Sequence, residues 1–463
     1  MAIKARRRIE LSEHFTMRKL LAFAAPTVFM MIFTSVYVIV DGVFVANFVS
    51  EPAFAGLNLS YPYIMILTSS GYMMGAGGAA IVGKTLGQGD KEVANKYFTS
   101  IVIATIIMAF CLGVIGYFTM EPVTRLLAMA SADDPNIEEV ISSGVQYGKI
   151  MCFGLPFWAM QSLWHPFFVT AEKPHLGFLF TLAAGVMNII GDAALVAGFR
   201  LGIAGAAIAT DLAEFVGGVI PLIYFASKKN DSRLHFAKTK PYFRVLGYAM
   251  GNGSSELLSN IASSVVSMAV NIQLLRYVGP IGVSAYGAFA YISFVFISAF
   301  LGFSAGVAPL YSFNFGARNK AELANLFRLS VKIIATGAVL MTGLAYALSY
   351  PFSMIFFSNA PETMEIALRC FYITSVIYLI CGFSIFSGSM FTALNNGIVS
   401  AIISFARTLV FQLGSVMLFP TFMGSDGIWA SVVFAEIGCA IMVTIFIFQQ
   451  SKKYGYLEKP KSE

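Results

Sequence analysis

The chain has 463 residues, of which 57% are hydrophobic and only 12% charged, with a mean hydropathy of +0.76. Soluble domains carry about 25% charged residues, and disordered chains combine high charge with low hydrophobicity, so both classes are excluded. The formal charge of +6 is read as basic residues gathered at one membrane face rather than as a nucleic-acid surface.

Twelve apolar stretches follow one another, centred on 20–46, 57–82, 97–119, 144–170, 176–198, 203–226, 252–278, 282–312, 329–350, 371–392, 397–419 and 427–449. At roughly 20 residues per crossing they leave no room for a large soluble domain. Only helices and closed barrels span lipid, and these runs are too long and continuous for barrel strands. An all-α integral membrane protein is expected.

Ionisable side chains at bilayer depth cost at least ~2.5–3.5 kcal/mol on insertion scales, so each is a functional candidate by default. Span 1 carries Asp41, with Tyr37 one turn earlier on the same face and Thr34 before it. Span 2 contains Gly75-Ala76-Gly77-Gly78, which lacks the Gly-Lys-Ser/Thr ending of a phosphate loop and reads as a close helix contact. His165 precedes Pro166 near the end of span 4 and reads as structural. Span 5 places Asn188 and Asp192 four residues apart on one face, an oxygen-rich patch suited to a proton or a hard cation such as Na+. A buried carboxyl group also takes up a proton more readily than an exposed one. Span 6 clusters Thr210, Asp211 and Glu214, with Thr210 and Glu214 on one face. Glu256 lies near the expected start of span 7, Arg407 lies in span 11, and Glu436 lies in span 12.

Lys and Arg fall on alternate loops. They include Lys4, Arg6, Arg7, Arg8, Arg18 and Lys19 before span 1, and Lys84, Lys91 and Lys96 after span 2. Lys228, Lys229, Arg233, Lys238, Lys240 and Arg244 follow span 6, Arg318 and Lys320 follow span 8, and Lys452, Lys453, Lys459 and Lys461 close the chain. The intervening loops are nearly bare or acidic, as with Asp133, Asp134, Glu138 and Glu139. The positive-inside rule then places both termini in the cytoplasm of a plasma-membrane protein. No short apolar stretch with a small-residue cleavage site follows the basic start, so 1–19 reads as a tail. The five cysteines, Cys111, Cys152, Cys370, Cys381 and Cys439, are odd in number and form no C-x-x-C pair, which argues against structural disulfides or zinc.

The two halves repeat. Leu86-Gly87-Gln88-Gly89-Asp90, followed by Lys91 and Glu92-Val93-Ala94-Asn95, is echoed by Phe315-Gly316-Ala317 with Lys320 and Glu322-Leu323-Ala324-Asn325. Gly205 leading to Ala213-Glu214 is echoed by Gly427 leading to Ala435-Glu436. Each half has six crossings, so the halves run in the same sense about an axis along the membrane normal, the arrangement of many secondary transporters. The expected organisation is a tail at 1–19, a first bundle at 20–226, a linker at 227–245, a second bundle at 246–450 and a tail at 451–463.

Taken in order, the Asp41 stretch, the Leu86–Asp90 loop, its echo at 315–317 and Gly427-Ile428-Trp429 resemble the multidrug and toxic compound extrusion (MATE) family, in its DinF-like/MepA-like prokaryotic branch. The resemblance covers nearly the whole chain. It implies two six-helix bundles in a V and export of amphipathic, mostly cationic small molecules in exchange for H+ or Na+, with no other cofactor. It also implies that Asp41, Asn188, Asp192 and Thr210 form the coupling site or hold Na+. The candidate substrate cavity draws on Thr34, Tyr37, Asp211, Glu214, Glu256, Asn271 and Arg407. Span 10 has no carboxylate, Glu256 lies about two turns too early for the acidic residue of the NorM-like branch, and the repeat sets Asn271 opposite Asp41. Coupling is therefore expected in the first half alone. Partners are small molecules and the bilayer, with no nucleic acid, and a monomer is expected. A lipid-linked oligosaccharide flippase of the same superfamily and a dedicated metabolite exporter are the alternatives; an enzyme is disfavoured because no catalytic constellation is present.

Overall fold

The computed structural model describes residues 9–129, 136–358 and 360–458. The basic positions Lys4, Arg6, Arg7, Arg8, Lys459 and Lys461 and the acids Asp133 and Asp134 lie outside the described residues.

The described residues form twelve long helices. They are α1 (Met17–Phe48), α2 (Glu51–Gly87), α3 (Lys91–Ala128), α4 (Ile137–Thr170), α5 (Pro174–Gly198) and α6 (Gly202–Ala226) in the first half. The second half has α7 (Phe243–Tyr277), α8 (Pro280–Gly316), α9 (Lys320–Phe357), α10 (Pro361–Ala393), α11 (Gly397–Met423) and α12 (Ser425–Tyr454). Helices α5 and α11 each widen into a π turn, at Asp192–Gly198 and Ala406–Gln412. Caps and prolines set the starts: Thr16 accepts from Lys19 N before α1, Asn319 accepts from Glu322 N before α9, and prolines open α2, α5 and α10.

At 1.5 Å per residue, helices of 25 to 38 residues reach well beyond a hydrocarbon layer of about 30 Å. The apolar runs therefore mark only the lipid-facing middles of the helices. This corrects the expected setting of Glu256. Because α7 begins at Phe243, Glu256 lies about three and a half turns inside the helix rather than at a solvated start. Among the described residues, eleven helices are long and apolar enough to cross a bilayer by length and composition. Helix α4 packs against α2, α3 and α6, so protein surrounds it and polar residues such as Gln161, Ser162 and His165 are tolerated.

The repeat is visible in the turns. The α2–α3 and α8–α9 turns each contain a left-handed residue, Gly89 and Arg318, and so do the α4–α5 and α10–α11 turns, at Glu172 and Asn395. Across the halves α1 packs on α8 and α2 packs on α7, the exchange expected if a two-fold axis relates α1 to α7 and α2 to α8.

The halves meet tightly at the end that carries the described chain ends and the linker. A Cβ on Gly77 would stand 1.9 Å from Ala249 O, and one on Gly253 would stand 1.9 Å from Met73 O. Nearer the tip, a Cβ on Gly87 would stand 2.0 Å from Phe313 O, and one on Gly316 would stand 2.0 Å from Lys84 O. Only glycine permits these crossings.

Two straps reinforce this closure. The segment before α1 lies on α9: Phe15 N donates to Glu322 Oε1 at 3.0 Å, His14 Nδ1 sits 2.6 Å from Glu322 Oε2, and Asn325 Nδ2 donates to Phe15 O at 2.8 Å. Leu11 N donates to Glu172 Oε1 at 2.8 Å, and Arg233 bridges Glu172 and Glu10. The linker before α7 lies on α3 in the same manner, with His235 N donating to Asn95 Oδ1 at 2.9 Å and Ala237 N donating to Thr99 Oγ1 at 2.9 Å. Asn95 and Asn325, which occupy matching places in the repeat, each hold the segment that leads into the opposite half. Beside the straps, Lys173 donates to Asp231 at 2.5 Å and holds that carboxyl below the usual carboxylate range.

Candidate functional site

The cluster starts from three helices. Asp41 lies seven residues before the end of α1, about 10 Å along its axis from the end away from the straps. Asp192 opens the π turn of α5, and Asn188 stands one turn before it. A π turn adds a residue to the helical ladder and redirects the side chains around it, and such turns concentrate at functional sites. Helix α6 approaches α5 closely here, since a Cβ on Gly191 would stand 2.8 Å from Ala209 Cβ. That approach brings Asn188 Nδ2 to 3.5 Å from Thr210 Oγ1.

The structure thus joins all four predicted residues. The Asp41 and Asp192 carboxyl groups neighbour each other. Asp192 is fully buried and Asn188 is 2% exposed. Asp41 Oδ1, Asn188 Oδ1 and both Asp192 oxygens are buried without a hydrogen-bond partner among the described residues. Burying a charged oxygen without a donor or counter-ion is costly. Oxygen donors grouped in this way suit a proton or a hard cation.

The remaining predicted residues divide. Tyr37 lies against Gly185 of α5 and near Glu214, and Tyr61 and Tyr72 also stand near Glu214. Glu214 is buried, and its Oε2 has no partner among the described residues. Asp211 lies against Gly154 of α4 and near Glu214 and Tyr147, and its Oδ1 has no partner among the described residues. Thr34 donates to Met30 O of its own helix at 2.9 Å, the ordinary bond of a helical threonine. Asn271 is exposed on α7. Arg407 pairs with Glu436 of α12: its Nε and Nη2 lie 2.7 and 2.6 Å from Glu436 Oε1. His165 Nε2 meets Thr181 Oγ1 at 3.3 Å, while its Nδ1 is buried without a partner among the described residues.

Some neighbours are not singled out by the sequence. Tyr147 of α4 stands near both Asp41 and Asp192. Tyr291 of α8 reaches across from the other half, its hydroxyl 3.7 Å from where a Gly42 Cβ would lie, and stands near Asp41. Gln161 lies against Gly217, and its Oε1 has no partner among the described residues. Twenty tyrosines spread through an apolar chain give no local signal for these few.

The family model described as MatE matches residues 26–193 and 257–416. The chain is 23% identical to the multidrug export protein MepA of Staphylococcus saprophyticus over 428 residues, covering 92% of both chains. It is 22% identical to MepA of Staphylococcus haemolyticus, covering 93% of both. Among solved structures, it resembles an outward-facing multidrug resistance MATE family transporter of the MOP superfamily, with a TM-score of 0.86, 20% identity, and coverage of 97% of this chain and 98% of that one. A crystal structure of MATE in complex with MaL6 matches with a TM-score of 0.87 at 20% identity, covering 96% and 98%.

Proposed function

Because this chain belongs to the MatE family, whose members are transporters rather than enzymes, we propose that it exports amphipathic, cationic small molecules in exchange for H+ or Na+ bound at Asp41, Asn188, Asp192 and Thr210. The observation that carries this reading is the set of buried oxygens around Asp41 and Asp192 that lack any partner among the described residues. Multidrug export is the activity named for the MepA relatives.

Coupling follows from the placement of α1. Near one end it holds Asp41. Near the other it seals the halves, where a Cβ on Gly302 of α8 would stand 2.6 Å from Val28 Cα and one on Gly306 would stand 3.2 Å from Ala24 Cα. A proton or Na+ at the Asp41–Asp192 pair removes the repulsion between two carboxylates and lets α1 settle against α5. Its departure returns negative charge that attracts a cationic cargo. An occupant that favours one arrangement of α1 over the other shifts the equilibrium between the two access states by that difference alone. With the termini in the cytoplasm of the plasma membrane, the strap-bound closure described above faces the cytoplasm.

The test is export from proteoliposomes under separately imposed pH and Na+ gradients. Gradient-driven export by the wild-type protein that falls at least about fivefold in Asp41→Asn and in Asp192→Asn supports the reading. Full gradient-driven export by both variants overturns it.

A further inference from the structure

Glu214 and Glu436 hold matching places in the repeat: each follows an alanine and stands nine residues after the glycine, Gly205 or Gly427, near the start of its helix. Both are buried, at 4% and 6% exposure, and in both Oε2 has no partner among the described residues. The halves differ at Oε1. In the second half the Arg407 guanidinium closes on Glu436 Oε1 with two contacts, at 2.7 and 2.6 Å. In the first half α5 and α6 contain no lysine or arginine. Aligning the left-handed turn residues Glu172 and Asn395 puts Arg407 opposite Ala184, next to the Gly185 on which Tyr37 rests. The first half therefore has a small residue where the second half has a cation.

The setting of Arg407 is built. The π turn Ala406–Gln412 begins one residue before it. Helix α12 comes close beside it, with a Gly438 Cβ position 2.9 Å from the Phe411 ring. The Arg407 side chain is 27% exposed and the Glu436 side chain 9%. The other titratable groups facing the pair are the thiols of Cys381 and Cys439.

We propose that Glu436 is the carboxylate of a second monovalent-cation site, in the C-terminal half, and that Arg407 is its permanently tethered occupant. The ligand class is the guanidinium or a similar small organic cation. The tether keeps this half neutral whatever the ion gradient, so ion coupling is confined to the first half. The site goes beyond the coupling reading above and does not need it, because its direct test uses neither transport nor Asp41 and Asp192.

The test titrates purified Arg407→Ala with guanidinium chloride at millimolar concentrations, against matched NaCl, and reads binding of labelled guanidinium and the thermal unfolding midpoint. The proposal expects saturable binding and a rising midpoint in Arg407→Ala. It expects binding at least about tenfold weaker, and no comparable rise in midpoint, in the wild-type protein and in Arg407→Met/Glu436→Met, which removes both charges at similar volume. Equal weak binding by all three proteins overturns it. Should Arg407→Ala not fold, the double variant decides alone in two measurements. The proposal expects it to remain folded and to bind as many H+ or Na+ ions as the wild-type protein. A folded double variant with fewer bound ions than wild type would show that the pair exchanges ions itself and would overturn the tether.

Discussion

Removing the Glu322 carboxylate isolates what the N-terminal strap contributes to closure. Glu322→Ala takes away the acceptor of Phe15 N, the contact with His14 and one bond to Asn325. Phe15 is fully buried, so its N–H becomes an unsatisfied buried donor, which costs about 1–3 kcal/mol. The His14 contact adds little, because the ring is 72% exposed and the pair is screened by water. Asn325 keeps its bond to Phe15 O. A net loss of about 2 kcal/mol corresponds to a roughly 30-fold larger population with the strap released. Hydrogen–deuterium exchange of the peptide covering residues 9–16, in protein reconstituted in nanodiscs, reads this population directly. Asn95→Ala on the other strap is the comparison. The His235 amide it leaves belongs to an exposed residue, so its exchange changes far less. Unchanged exchange at residues 9–16 in folded Glu322→Ala would refute the reasoning.

Three further outcomes follow from the same structure. Gly77→Val drives a side chain into Ala249 O at the α2–α7 crossing and costs about 3 kcal/mol, the upper end for overpacking, read as a lowered unfolding temperature. Asp192→Asn leaves the helix intact but lowers ion-driven export by roughly 5- to 150-fold, the range of ordinary coupling energies, measured in proteoliposomes. Asp231, whose carboxyl Lys173 holds below the usual range, contributes stability that is present above its unfolded pKa and lost as pH falls through the lower folded one. Because that carboxylate is 69% exposed, Asp231→Asn lowers stability at pH 7 by no more than about 1 kcal/mol, and the difference from wild type vanishes in strong acid in a thermal-melt series.

Span number, helical class and the repeat were legible because each depends on composition or on short ordered motifs. The grouping of Asp41, Asn188, Asp192 and Thr210 was foreseeable for a different reason. Charge is so rare at bilayer depth that Asp41 and Asp192 stand out among a handful of ionisable residues, helical spacing adds Asn188, and the family resemblance adds Thr210. Helix ends were not legible, since polar turns continue α7 back to Phe243 beyond any apolar run, and Glu256 moved inward with them. Arg407 was visible as a residue, but its partner was not. Residues 407 and 436 are brought together by an α11–α12 contact that no local pattern announces. The Glu-x-Ala-Asn echo was visible as a repeat, while its role in holding the straps needed the fold, because each asparagine acts on the opposite half.

The central claim is that the Asp41–Asp192 pair is where the coupling ion binds. Counting bound ions tests it most directly: proton uptake and 22Na+ binding by the purified protein, compared with the Asp41→Asn/Asp192→Asn double variant. The account predicts that the wild-type protein binds an H+ or a Na+ that the double variant does not. Identical uptake of both ions by the two proteins would contradict it.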